Sequence, residues 1–245
     1  CFITKSHIYT NTTSSLPLTY AANLYVFTNQ GCKDTIRKTI TVNPDIIADF
    51  SVDTIGCSPH VVRFNNSSSG AAGYNWDFGD GTSSIAVNPN HTYVNTGLID
   101  TIFEAKLVVR SPQGCTDSMI VPIRVHPKPI ADYSIDKTIG CHPLEVNYTN
   151  TSSIADSCSW VWGDGTFNDT CFVSSSHTFS NTTSSAPITY ATNLYVFSDK
   201  GCKDTLRRTV TVNPQVIADF TVDTVGCSPL KATFNNSSVG GASFQ

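Results

Sequence analysis

Three groups of residues in this 245-residue chain carry side chains able to do chemistry: nine cysteines, the carboxylates of Trp76-Asp77-Phe78-Gly79-Asp80-Gly81, and the histidines His7, His91 and His177. Two carboxylates this close can divide the roles of acid and base in glycoside hydrolysis or give oxygen ligands to a hard cation. Histidine is the usual general base near neutral pH, and each of these three stands two residues before an aromatic: Tyr9, Tyr93 and Phe179. Cysteines can hold zinc, act as thiolate nucleophiles or form disulfides.

The elements that position these groups repeat. His7 to Asn75 returns almost unchanged as His177 to Gln245, displaced by 170 positions, with Gly31-Cys32-Lys33-Asp34-Thr35 matching Gly201 to Thr205. A weaker echo gives the unit: Gly56-Cys57-Ser58-Pro59 recurs at Gly140-Cys141-His142-Pro143, Trp76 at Trp160, Gly79-Asp80-Gly81 at Gly163-Asp164-Gly165, and Gly114-Cys115 at Gly201-Cys202. The unit is therefore a domain of about 85 residues, an ordinary domain size, and two types alternate. Residues 1–44 read as the C-terminal half of a type B domain, 45–128 as a complete type A domain, 129–214 as a complete type B domain, and 215–245 as the N-terminal half of a type A domain. The expectation is a window from a longer polypeptide, in which Cys1, aligned with Cys171, is an ordinary interior residue and the absence of a leader or membrane span carries no information.

Within each unit, short alternating runs dominate, such as Ala48-Asp49-Phe50-Ser51-Val52, Ala105-Lys106-Leu107-Val108-Val109 and Leu206 to Val212. With turn signals about every ten residues they read as half-buried strands of an all-β sandwich or barrel. The net charge of -4 is mild, and the basic pairs Arg37-Lys38 and Arg207-Arg208 fall on alternating strands as a solvated face. Nothing matches the basic stripe with interleaved aromatics of a nucleic-acid binder.

The repeat also orders the cysteines. Each unit has one in its Gly-Cys-(Ser/His)-Pro turn and one in its Gly-Cys-(Lys/Thr)-Asp turn, an arrangement that predicts the pairs Cys57–Cys115 and Cys141–Cys202. Type B adds Cys158 and Cys171, which flank Trp160-Val161-Trp162-Gly163-Asp164-Gly165 and could staple a hairpin. Cys1, Cys32 and Cys227 are then left with partners outside the fragment. Close Cys-x-x-Cys pairs and histidines at ligand spacing are lacking, against zinc, and recurrence in every unit suits scaffolding better than a nucleophile. Disulfides imply an oxidising, extracytoplasmic setting.

Tyr74-Asn75-Trp76-Asp77-Phe78-Gly79-Asp80-Gly81-Thr82, followed by His91-Thr92-Tyr93, resembles the hallmark of the PKD (polycystic kidney disease repeat) domain. Type B keeps Trp160, Gly163-Asp164-Gly165 and His177-x-Phe179 but has Val161 and Trp162 where type A has Asp77 and Phe78. The resemblance runs along the whole chain and implies tandem immunoglobulin-like β-sandwiches of about seven strands, end to end. It makes Trp76 and Trp160 core residues and Asp77, Asp80 and Asp164 turn residues. Some PKD domains bind calcium, which would draw on Asp49, Asp77 and Asp80; no other cofactor is implied. Catalysis is not expected, because the Asp pair is built into a turn, type B lacks one member, and equivalent histidines in successive domains do not converge on one site.

Asp followed by Ser or Thr and then an aliphatic residue or Met recurs, which makes Thr35, Thr54, Thr101, Ser118, Thr205 and Thr224 candidate O-glycosylation sites; turn chemistry explains the pattern equally well. Asn-x-Ser/Thr sequons such as Asn66 and Asn181 matter only in a eukaryote. Junctions such as Val125-His126-Pro127-Lys128-Pro129 run strand into strand through proline, favouring a semi-rigid rod. The expected role is non-enzymatic: a repeat segment of a very long extracellular bacterial surface protein, forming a stalk, fibre or filament for adhesion or motility. Its partners would be neighbouring repeats, other copies in a fibre, and surface glycans or proteins, with no nucleic acid and no membrane contact in this segment. The rival is a spacer or accessory substrate-binding array of a secreted protease or polysaccharide-degrading enzyme, with Tyr20, Tyr25, Tyr190 and Tyr195 as candidate glycan contacts.

Overall fold

The structure, a computed structural model, describes residues 4–12, 16–183 and 186–241; Cys1 lies outside them. Among these residues every regular element is a β-strand, and they divide into two units, residues 1–126 and 127–245.

In the first unit, β1 (Leu18–Phe27) and β2 (Lys33–Val42) form a hairpin. The domain that follows comprises β3 (Phe50–Ser51), β4 (Ile55–Cys57), β5 (His60–Arg63), β6 (Asn65–Asn66), β7 (Gly73–Asp77), β8 (Ser83–Ser84), β9 (Asn90–Tyr93), β10 (Thr101–Arg110) and β11 (Thr116–His126). One sheet runs β4-β11-β10-β7-β8, while β3 with β6 and β5 with β9 make short ladders on the opposite layer. Strand alternation sends Ala105, Leu107 and Val109 of β10 and Ile123 and Val125 of β11 inward. There they meet Phe50, Val62 and Phe64 around Trp76, which is fully buried and sits opposite Leu107 in register. Phe50 meets the indole edge-on at 5.0 Å between ring centres and Phe64 lies tilted at 5.1 Å, distances at which aromatic pairs attract beyond their buried area.

The second unit repeats the plan with β12 (Tyr133–Ile135), β13 (Ile139–Cys141), β14 (Leu144–Asn150), β15 (Ser157–Val161), β16 (Phe167–Asn168), β17 (Ser174–Phe179), β18 (Ile188–Phe197) and β19 (Lys203–Asn213), followed by β20 (Phe220–Val222) and β21 (Phe234–Asn236). The sheets are β13-β19-β18-β15-β16 and β12-β14-β17. Trp160 faces Leu194 as Trp76 faces Leu107. Two tandem β-sandwich domains thus account for the complete repeats.

Matching residues are buried in one copy of the repeated sequence and bare in the other. Leu194 and Val196 are 0% exposed, whereas their counterparts Leu24 and Val26 are 60% and 55% exposed on the lone hairpin. Phe50 and Phe64 are 4% and 0% exposed, but Phe220 and Phe234 are 59% and 69%. The β1–β2 and β20–β21 pairings carry no such apolar cover.

The register overturns the expected pairs Cys57–Cys115 and Cys141–Cys202. Cys57 stands beside His126, at the C-terminal end of β11, through the parallel pairing of β4 with β11. Cys115 precedes Thr116, at the other end of that 11-residue strand, about 35 Å away at ~3.3 Å per residue. A disulfide spans a Cα separation of only about 4.4–6.8 Å. Cys115 and Cys141 are accordingly free thiols, while Cys57 and Cys202 are disulfide-bonded. Cys158 and Cys171 bond to each other with Cα atoms 5.0 Å apart. Cys32 and Cys227 are free and exposed.

A buried asparagine locks each long hairpin to the loop before it. Asn95 Nδ2 donates to the carbonyls of Ile99 (2.7 Å) and Val125 (2.8 Å), and its own N–H donates to Ser58 Oγ (2.9 Å). Asn181 repeats this with Ala186 and Val212, its N–H donating to His142 Nδ1, and Asn11 with Leu16 and Val42. Replacing Asn95 by Ala leaves two inward carbonyls without donors, a loss of about 2–4 kcal/mol. Urea unfolding of Asn95→Ala should show a lower midpoint with unchanged slope; an unaltered midpoint would show that the clamp contributes nothing.

Candidate functional site

The Gly-Asp-Gly turns bring together the carboxylates and histidines picked out from sequence. Asp80 follows β7, and its Oδ1 accepts the N–H (3.0 Å) and hydroxyl (2.6 Å) of Thr82 while Oδ2 lies 2.7 Å from His91 Nε2 on β9. Asp164 is held identically by Thr166 and by His177 Nε2 at 2.7 Å. Asp77 Oδ1 accepts the Gly79 N–H at 3.0 Å. Gly79 has φ +79, and a Cβ there would come within 2.7 Å of the Glu104 backbone nitrogen, so the turn demands glycine for both conformation and space.

Each histidine ring stacks on the aromatic two residues after its buried Trp: His91 on Phe78 at 4.2 Å, and His177 on Trp162 at 4.7 Å. The change from Phe78 to Trp162 therefore leaves the stack intact. The Asp–His pair joins the turn to the opposite layer, with both carboxylate oxygens already engaged. Asp49 does not join Asp77 and Asp80 as expected of a calcium set: its Oδ2 accepts from Ser67, and among the described residues no group of three acidic, histidine or cysteine side chains stands ready for a metal.

The glycan-contact candidates divide. Tyr20 donates its hydroxyl to the Thr10 carbonyl and Tyr190 to that of Ser180, and Tyr190 also stacks on Phe179, so both are packing residues. Tyr25 and Tyr195 are exposed. Of the glycosylation candidates, Thr35, Thr54, Ser118, Thr205 and Thr224 are exposed and Thr101 is half-buried. Three of the preceding aspartates have structural partners elsewhere in their domains. Asp117 accepts the Ala48 N–H at 2.8 Å and Asp204 the Ala131 N–H at 3.0 Å, each fastening the incoming strand to the hairpin turn. Asp100 binds His126 Nδ1 at 2.8 Å. Asn181 is fully buried with its amide committed, which closes it as an N-glycan acceptor.

Two features escaped the sequence reading, an asparagine clamp and an arginine contact. Asn95 and Asn181 stand four residues after His91 and His177, a His-x-aromatic-x-Asn spacing shared by His7 and Asn11 that would have revealed the clamp. Arg208, read as solvated, donates Nε–H to the Tyr133 carbonyl at 2.9 Å and lies over that ring at 5.3 Å.

Burial pushes the Asp80 and Asp164 carboxyls up, but hydrogen bonds from Thr82 and His91, or Thr166 and His177, outweigh it and hold both below the ordinary carboxylate value. A folded-state pKa below the unfolded one means stabilisation that is present above about pH 4 and lost as pH falls through the folded value. The melting temperature should therefore drop on acidification below about pH 4, and Asp164→Asn should lower it at pH 7 while flattening that acid limb. An acid limb unchanged in Asp164→Asn would remove the carboxylate from the account.

Disulfides persist in oxidising compartments, so the Cys158–Cys171 bond and the PKD motif together mark an extracellular protein. A comparison with curated proteins found no match. Among solved structures, the PKD1 domain of the Vibrio cholerae metalloprotease PrtV is 25% identical, covering 33% of this chain and 96% of its own at a TM-score of 0.28. The PKD1 domain of Vibrio anguillarum Epp is 24% identical, covering 34% and 94% at a TM-score of 0.28. Residues 43–125 match the family model described as PKD domain, and this part of the chain is accordingly a PKD domain.

Proposed function

We propose that this chain is a structural, non-catalytic segment of a long bacterial surface protein, a stalk, fibre or filament that carries an adhesive or motility function away from the cell. The observation that carries the reading is the near-identity of His7 to Asn75 and His177 to Gln245: copies that similar, alternating with a second type, suit a recently amplified two-domain cassette. The chemistry of the candidate site supports it. The carboxylates and histidines that could have served catalysis are spent on holding turns, leaving each Asp–His pair as a brace between layers. The partners would be neighbouring repeats, further copies of the chain in a fibre, and surface glycans or proteins at the tip.

The exposed serine and threonine hydroxyls next to aspartate suit O-linked glycan, which would shield the apolar strand edges of a long fibre. Intact-mass measurement of the protein from its own cells should exceed the polypeptide mass by whole sugar units. The bare mass alone would end the glycan proposal and leave the fibre standing.

The rival reading, an accessory array beside a secreted hydrolase, differs in shape and neighbourhood. Electron micrographs of the intact surface protein should show long thin fibres built of many similar beads. Short particles with one large globular body would favour the rival.

A further inference from the structure

The sheet β13-β19-β18-β15-β16 of the type B domain has an open edge along β19. β13 pairs with β19 only at residues 211–213, so residues 203–210 have a ladder partner on the β18 side alone. Thr211 donates its N–H to the Thr138 carbonyl at 2.8 Å, away from β18. Directions alternate along an antiparallel strand, so Thr205, Arg207 and Thr209 aim their N–H and C=O groups the same way, beyond the reach of β13. All three are exposed. A groove of about 470 Å³ lies against this edge, lined by Ser134, Ile135, Thr138, Arg208 and Thr209.

The type A domain has the equivalent edge on β11 and closes it. Arg124 donates its N–H to the Thr54 carbonyl at 2.8 Å, which puts Pro122 in the edge-facing set. Its ring there stands where a strand partner would need an N–H. Pro122 follows Cys115 by seven residues, as Thr209 follows Cys202, so the two are counterparts. Type B has no proline in β19.

An unguarded edge is a template for another strand, and charge decides which. Lys203 and Arg207 are exposed and make no ion pair among the described residues. Their type A counterparts, Thr116 and Ile120, are uncharged. Two β19 edges brought together would set like charges against each other, whereas acidic side chains opposite Lys203 and Arg207 would be favourable.

We propose that the open edge of β19 is a docking site for an extended acidic segment of a partner protein, which joins the sheet as a further strand beside residues 203–210. Its backbone bonds Thr205, Arg207 and Thr209. Carboxylates on one of its faces meet Lys203 and Arg207, and the alternate side chains, small and apolar, enter the groove against Ile135. The site needs only the folded type B domain, so its failure would leave the fibre reading untouched.

Hydrogen exchange of the chain 1–245, with and without a synthetic peptide of alternating Asp and Val, tests this. The peptide should slow exchange at residues 203–210 and leave residues 116–123 of type A unchanged. Thr209→Pro, which copies type A, should keep the melting temperature and raise the peptide concentration needed for that protection by about tenfold or more. Arg207→Glu, at an exposed position, should do the same, as should a peptide with its Asp and Val in separate blocks. No protection at 203–210, equal protection at 116–123, or equal potency of the blocked peptide would each overturn the proposal. β2 repeats Lys33 and Arg37 on an open edge without the groove, so protection of β2 alone would overturn it too.

Discussion

The long hairpin at the end of each repeat, β10–β11 and then β18–β19, is the constraint on which the rest of the domain depends. Its ten-residue ladder gives one face of the core, orients the buried Trp through the neighbouring strand, and receives β4 or β13 in parallel. It also separates the two ends of the domain. Its turn fastens the incoming chain through Asp117 or Asp204, while its far end is clamped by Asn95 or Asn181. A strand of this length has no flexible middle, so whatever is attached at one end is mechanically connected to the other.

The two domain types solve one local problem differently. In type A the Trp76 indole N–H donates to the Ala86 carbonyl at 2.8 Å. In type B the indole N–H of Trp160 has no acceptor among the described residues; instead Phe172 stacks on the ring at 4.9 Å, and the adjacent Cys171 ties that loop to Cys158 beside the Trp. Buried unpaired polar groups cost free energy, and the disulfide with its stacked Phe172 offsets that by restricting the loop. The two types are thus braced differently around an equivalent Trp.

Much of this was legible in the sequence because it is local. Alternation fixed the inward positions of Ala105, Leu107 and Val109, and the Gly-Asp-Gly turn advertised its own conformation. The spacing of Cys158 and Cys171 around a hairpin was short enough to read directly. The pairing of Cys57 and Cys115 misled because it depends on a parallel contact, β4 with β11, that no local pattern reports. Once β4 lies beside the end of β11 rather than its beginning, the two cysteines of one domain stand a strand length apart. The Asn clamp was legible by spacing, yet it was hidden by reading Asn181 as a sequon instead of a buried donor.

Native-state hydrogen exchange tests most directly whether the long hairpin carries its domain. The ladder amides of β10 and β11 should exchange only through global unfolding, and more slowly than those of the short β3–β6 and β5–β9 ladders. Hairpin amides that exchange as fast as those of the short ladders would contradict the account.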